Sequence, residues 1–91
     1  MEWKLFADLA EVAGADTVDV EVGDDGTVED ALASLLERHP PLEDRILDDG
    51  GELREHINVL RNGESIRTED GLETAVESGD ELALFPPVSG G

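Results

Sequence analysis

Thr27-Val28-Glu29-Asp30-Ala31-Leu32-Ala33-Ser34-Leu35-Leu36 reads as a helix with one apolar side. Val28, Ala31, Leu32, Leu35 and Leu36 recur at the i, i+3, i+4, i+7, i+8 spacing of a single buried face. Thr27 is the cap candidate. Asp30, three residues on, completes a capping-box-like start, where Glu or Gln is the usual partner. Pro40-Pro41 closes the segment, because Pro40 drives His39 out of helical geometry. A further turn is expected over residues 42–47, then a loop at Asp48-Asp49-Gly50-Gly51.

On both sides of this helix the apolar period is two, not 3.6. Residues 2–6 form a strand with Trp3 and Leu5 on one face, Lys4 and Phe6 on the other. A short helical segment over 7–13 stops at Gly14. Residues 16–22 alternate Val18, Val20 and Val22 against Thr17, Asp19 and Glu21, a half-solvated strand. Asp24-Asp25-Gly26 is a turn. Beyond the helix, strands are expected at 57–61 and 64–67 around the Asn62-Gly63 hairpin turn. An irregular link over 72–78 precedes a last strand, Glu81–Phe85, with Leu82 and Leu84 facing away from Ala83 and Phe85. One helix can cover one face of a mixed four- to five-stranded sheet. The expectation is an α+β, β-grasp fold with its first and last strands parallel at the centre. It occupies residues 1–87 as one domain, followed by a flexible tail, 88–91.

That tail carries the chemistry. Pro86-Pro87 stiffens the exit from the last strand, Val88 is an apolar anchor, and Ser89-Gly90-Gly91 has almost no side-chain bulk. Four extended residues reach about 13 Å, enough to enter a narrow cleft. A carboxylate at Gly91 must be activated, as an acyl-adenylate made with ATP, before sulfur or an amine can take it. The chain has no glycine-rich loop with Lys and Ser/Thr to bind ATP itself. It is therefore expected to be a substrate and carrier, with no bound cofactor, rather than an enzyme.

The ending, Glu81-Leu82-Ala83-Leu84-Phe85-Pro86-Pro87-Val88-Ser89-Gly90-Gly91, resembles that of the molybdopterin synthase small subunit. It is more similar still to the related small archaeal modifier proteins. Residues 5–14 and His56-Ile57-Asn58-Val59-Leu60-Arg61-Asn62-Gly63 match the same family. The resemblance implies a ubiquitin-like β-grasp fold and adenylation of Gly91 by a ubiquitin-activating-type enzyme. It implies two fates for the Gly90-Gly91 end: a thiocarboxylate donating sulfur to the molybdopterin synthase large subunit or to tRNA thiolation, or an isopeptide bond to a target-protein lysine. It also implies a partner-binding patch using the phenylalanines at Phe6 and Phe85. Further contact candidates read from the sequence are Pro86, Pro87, Val88 and Leu60, whose facing the alternation leaves open. The bland alternative for Phe6 and Phe85 is a second small core. Lys4 is the single lysine, either a solvated strand residue or an internal isopeptide acceptor.

The composition narrows the field. Twenty-four acidic against six basic residues give a net charge of −18, which argues against phosphate-backbone binding to nucleic acid. The regular apolar pattern argues against disorder. Two readings remain: an acidic surface seeking a basic partner, or adaptation to a salty cytoplasm, which we favour because molar salt screens self-repulsion within about 3 Å. The domain should then loosen in dilute buffer, and equal circular-dichroism melts in dilute and molar salt would contradict this. With no cysteine there is no disulfide or thiolate chemistry. No signal peptide or membrane span is read, so a cytoplasmic monomer is expected. His39 and His56 are isolated, and no metal site is expected. A non-covalent acidic binding module, with no tail chemistry, is the competing function.

Overall fold

The computed structural model describes residues 1–23 and 25–86. Five strands form one sheet: β1 (Glu2–Leu5), β2 (Thr17–Asp19), β3 (Asn58–Arg61), β4 (Glu64–Ser65) and β5 (Glu81–Phe85). Their order is β2-β1-β5-β3-β4. β1 and β5 pair in parallel at the centre, and the remaining pairs are antiparallel. Three helices accompany the sheet: α1 (Asp8–Ala13), α2 (Val28–Arg38) and the short α3 (Glu43–Ile46). This is the β-grasp arrangement expected from the element order. The expected boundary between residues 87 and 88 lies outside the described residues, as does Asp24 of the expected turn.

α2 begins at the capping box read from the sequence. Thr27 Oγ1 accepts from the Asp30 N–H at 3.4 Å, and Asp30 Oδ2 accepts from the Thr27 N–H at 3.0 Å. Aspartate can close the box in place of glutamate. Val28, Ala31, Leu32 and Leu35 are buried, and Leu36 is partly so. They meet Trp3, Leu5, Val18, Val59, Leu82 and Leu84 from the sheet. Trp3 is fully enclosed, and its indole Nε1 donates to the Ala31 carbonyl at 3.0 Å, tying β1 to α2. Pro40-Pro41 closes α2 as expected: the helix ends at Arg38, and His39 leaves helical geometry at φ −134°, ψ 70°. Both prolines enter a 3₁₀ turn, Pro40–Leu42, that runs straight into α3. Prolines suit a first turn, whose N–H groups lack helical partners anyway.

Four strands are shorter than expected, β3 only by Ile57, whose N–H bonds the Arg54 carbonyl instead of a strand partner. β1 ends at Leu5 because Ala7 adopts φ 54°, ψ −132°, a conformation costly for a residue with a Cβ. β2 is limited by the length of β1. Its flanking bonds, Leu5 N–H to Asp16 O and Val20 N–H to Met1 O, mark where partner backbone runs out. β4 gives way to a 3₁₀ turn, Ile66–Thr68, held by Ser65 Oγ accepting from the Arg67 N–H. The turn buries Ile66 and sends Arg67 across to the carbonyls of Arg54, Glu55 and Ile57 at 3.0, 3.0 and 2.8 Å. One guanidinium thereby satisfies a stretch of irregular backbone. The Asn62-Gly63 turn forms as read, with φ of 51° and 87°.

A polar plug closes the core beside that hairpin. The nearly buried Asp80 carboxylate accepts from Arg61 Nε at 2.8 Å, Asn62 Nδ2 at 3.0 Å and the Glu77 N–H at 2.7 Å. Burial alone would push its carboxyl up. The bonds from Asn62, Glu77 and Arg61, with the Arg61 charge, outweigh burial and hold it below its ordinary value. A depressed carboxylate stabilises the fold above its unfolded pKa of about 3.9, and that contribution is lost as pH falls through the lower folded value. Protonating the other acids relieves the repulsion from the −18 charge, an effect of opposite sign. The measurement is therefore a difference. Asp80→Asn should cost about 2 kcal/mol at pH 7 in denaturant melts, with the gap to wild type shrinking below pH ~4. A constant gap down to pH ~2 would mean that Asp80 is not held as a carboxylate.

Candidate functional site

The sheet has two unlike faces. Trp3, Leu5, Val18, Val59, Leu82 and Leu84 face α2 and are buried. The opposite set, Lys4, Phe6, Thr17, Asn58, Leu60, Ala83 and Phe85, is partly or fully exposed, and none of it is buried. Among the described residues no second buried cluster covers that face.

The pairing register explains why the two phenylalanines meet. Leu5 stands beside Leu84 in the parallel β1–β5 pair, so the next residues, Phe6 and Phe85, stand side by side. Their rings stack with centroids 4.3 Å apart and planes within 9°. Such a pair is worth about 0.5–1.5 kcal/mol beyond the area it covers. Phe6 keeps 39% of its surface exposed and is the one large apolar side chain counted as exposed among the described residues. The sharp bend at Ala7 sends Leu9 into the core while leaving the Phe6 ring outside.

Leu60, whose facing the sequence left open, belongs to this same surface. It pairs with Ala83, which on its other side pairs with Lys4. Ala83 therefore forms a low floor between them, a role that register alone reveals. Asn58 lies beside Phe85. Lys4 Nζ reaches Glu81 Oε2 at 3.1 Å, an exposed pair of little energetic weight. β5 points towards Pro86, so the stack sits at the end of the sheet where the chain departs. Pro86 is partly buried; the remaining expected tail residues, Pro87, Val88, Gly90 and Gly91, lie outside the described residues. Among the described residues no cluster of three His, Asp or Glu side chains is placed to hold a metal ion, and no helix is long and apolar enough to cross a membrane.

Residues 3–91 match the model of the ThiS family. The chain belongs to the ThiS family. Within it, small archaeal modifier protein 1 of Haloferax volcanii is 64% identical over 91 residues, covering all of both chains. The molybdopterin synthase sulfur carrier subunit of Chlamydomonas reinhardtii is 36% identical over 86 residues, covering 94% of this chain and 92% of its own. The crystal structure of SAMP1 from Haloferax volcanii superposes with a TM-score of 0.92 at 63% identity, covering 99% of this chain and 97% of that one. These relatives are modifiers and sulfur carriers rather than catalysts. The ubiquitin-like modifier and sulfur-carrier role of this part of the ThiS family extends to this chain.

Proposed function

We propose that the Gly91 carboxylate is the group this protein carries. A ubiquitin-activating-type enzyme docks on the Phe6–Phe85 face and adenylates that carboxylate with ATP. Sulfur then takes the acyl group to give a thiocarboxylate, used with a molybdopterin synthase large subunit, or a target lysine takes it to give an isopeptide bond. The observation that supports this most is the placement of the exposed aromatic stack at the end of the central strand that leads into Pro86. An enzyme gripping the stack has the following residues within reach, since five extended residues span about 17 Å. Glycines at the end let an active site close around bare backbone.

Intact-mass and peptide analysis of the protein from its native cell tests the proposal. A thiocarboxylate at Gly91 supports sulfur carriage, and Gly-Gly remnants on lysines of other proteins support modification. A plain carboxylate throughout, with no remnants, would favour the non-covalent acidic module. Docking has its own test. Phe85→Ala should weaken binding of the activating enzyme by about 2 kcal/mol or more, with little change in melting temperature. A large fall in melting temperature with unchanged affinity would make Phe85 a structural residue only.

A further inference from the structure

The one lysine of the sequence stands on the same face as the aromatic stack. Two residues of strand separate Lys4 from Phe6, about 7 Å along the chain direction. Its side chain is 41% exposed, and its ammonium is held at 3.1 Å by Glu81, at the base of β5. Among the described residues nothing covers Nζ, and anything attached there occupies the ground beside Phe6 and Phe85.

We propose that conjugation of Lys4 by a second copy of this chain covers the docking face and withdraws the modified copy from activation. This rests on the carrier reading above. The reaction consumes one ATP, which makes the second copy's Gly91 acyl-adenylate and releases pyrophosphate. Lys4 gives up a proton, and its nitrogen attacks the acyl carbon. A C–N bond forms, the C–O bond to the AMP phosphate breaks, and AMP leaves. A second proton passes from nitrogen to solvent, and an amide remains.

The geometry makes this product a poor substrate. The attached body has a radius of gyration of 12.1 Å, larger than the spacing between its anchor and the stack. Its tether of about five residues holds it within about 17 Å of that anchor. Within that range the body, wider than the gap between anchor and stack, sterically excludes a docking enzyme from much of the face. The amide also removes the positive charge that Glu81 faces. A link on α2 lacks these consequences, because α2 lies across the core from the face; Glu37 is an exposed position there. The free tail of a Lys4-linked dimer should therefore not be activated or passed on, whereas the tail of an unmodified copy can still be passed to other proteins.

Two dimers, each with one linkage and one free tail, decide the matter. One is joined by chemical ligation through Lys4, the other through position 37 of a Glu37→Lys chain. Circular dichroism establishes that both are folded, and ATP–pyrophosphate exchange with the activating enzyme is the readout. The Lys4-linked dimer should exchange about tenfold or more slowly than the monomer, the loss expected when a central hot spot is covered. The dimer linked at 37 should exchange at the monomer's rate. Monomer-like exchange by the Lys4-linked dimer, or an equal fall in both dimers, overturns the proposal. A wild-type monomer that supports no exchange would instead sink the carrier reading, and this inference with it.

Discussion

A chain lacking Gly90 and Gly91 should yield no thiocarboxylate and no conjugates, yet melt within a few degrees of wild type. The functional loss is complete because the carboxylate would then sit on Ser89, with its approach path shortened by about 7 Å. It would also carry a side chain where the adenylating site must close on backbone. The fold should tolerate the cut because the buried core runs from Trp3 to Leu84 and the last strand ends at Phe85. Changes outside such a core usually stay within about 0.5 kcal/mol. For a domain of this size that is a shift of roughly 2–4 °C. Adding one residue after Gly91 should abolish the chemistry equally, since it moves the carboxylate about 3.5 Å onward. Thioester or adenylate assays on both variants, paired with melts, read the two effects separately. Undiminished conjugation by the truncated chain would place the reactive group elsewhere.

Trp3→Ala should do the reverse and remove the fold. Trp3 is fully buried, reaches the Ala31 carbonyl, and lies on the central parallel pair of strands. Deleting such a ring costs about 3–5 kcal/mol in transfer and cavity terms. Small domains hold only about 5–15 kcal/mol in all. The melting temperature should fall by roughly 15–30 °C at fixed salt. Trp3→Phe keeps most of the packing and loses the indole donor, so it should cost about 1–2 kcal/mol. If Trp3→Ala and Trp3→Phe melt alike, the hydrogen bond to Ala31 and not the ring volume is what β1 and α2 share.

Much of this fold is legible in the sequence because parity and helical spacing are local. Val28, Ala31, Leu32 and Leu35 declare their face without knowledge of any partner. Trp3 and Leu5, or Leu82 and Leu84, do the same for strands. Strand length is not local, so alternation alone overextends β2 and β4: each ends where its neighbour's backbone ends or turns away. The bend at Ala7 carries no glycine or proline to announce it. Arg61 has the parity of Val59 and so points inward, a position that suits an arginine only because Asp80 arrives there from 19 residues on. Arg67 likewise looks like surface until the loop at Arg54, Glu55 and Ile57 is seen beneath it. On the candidate site, the stack of Phe6 on Phe85 follows once the first and last strands are taken as parallel neighbours. The place of Leu60 and Ala83 needs the register as well.

That parallel pairing has a consequence for quality control. Phe6 directly follows the first strand and Phe85 ends the last, and only the finished sheet sets one ring on the other. A nascent or misfolded chain, or one cut before the last strand, owns both residues, or one, but not the surface. If the activating enzyme proposed above grips the stack before spending ATP, it inspects the fold of its substrate at the same moment that it recognises it.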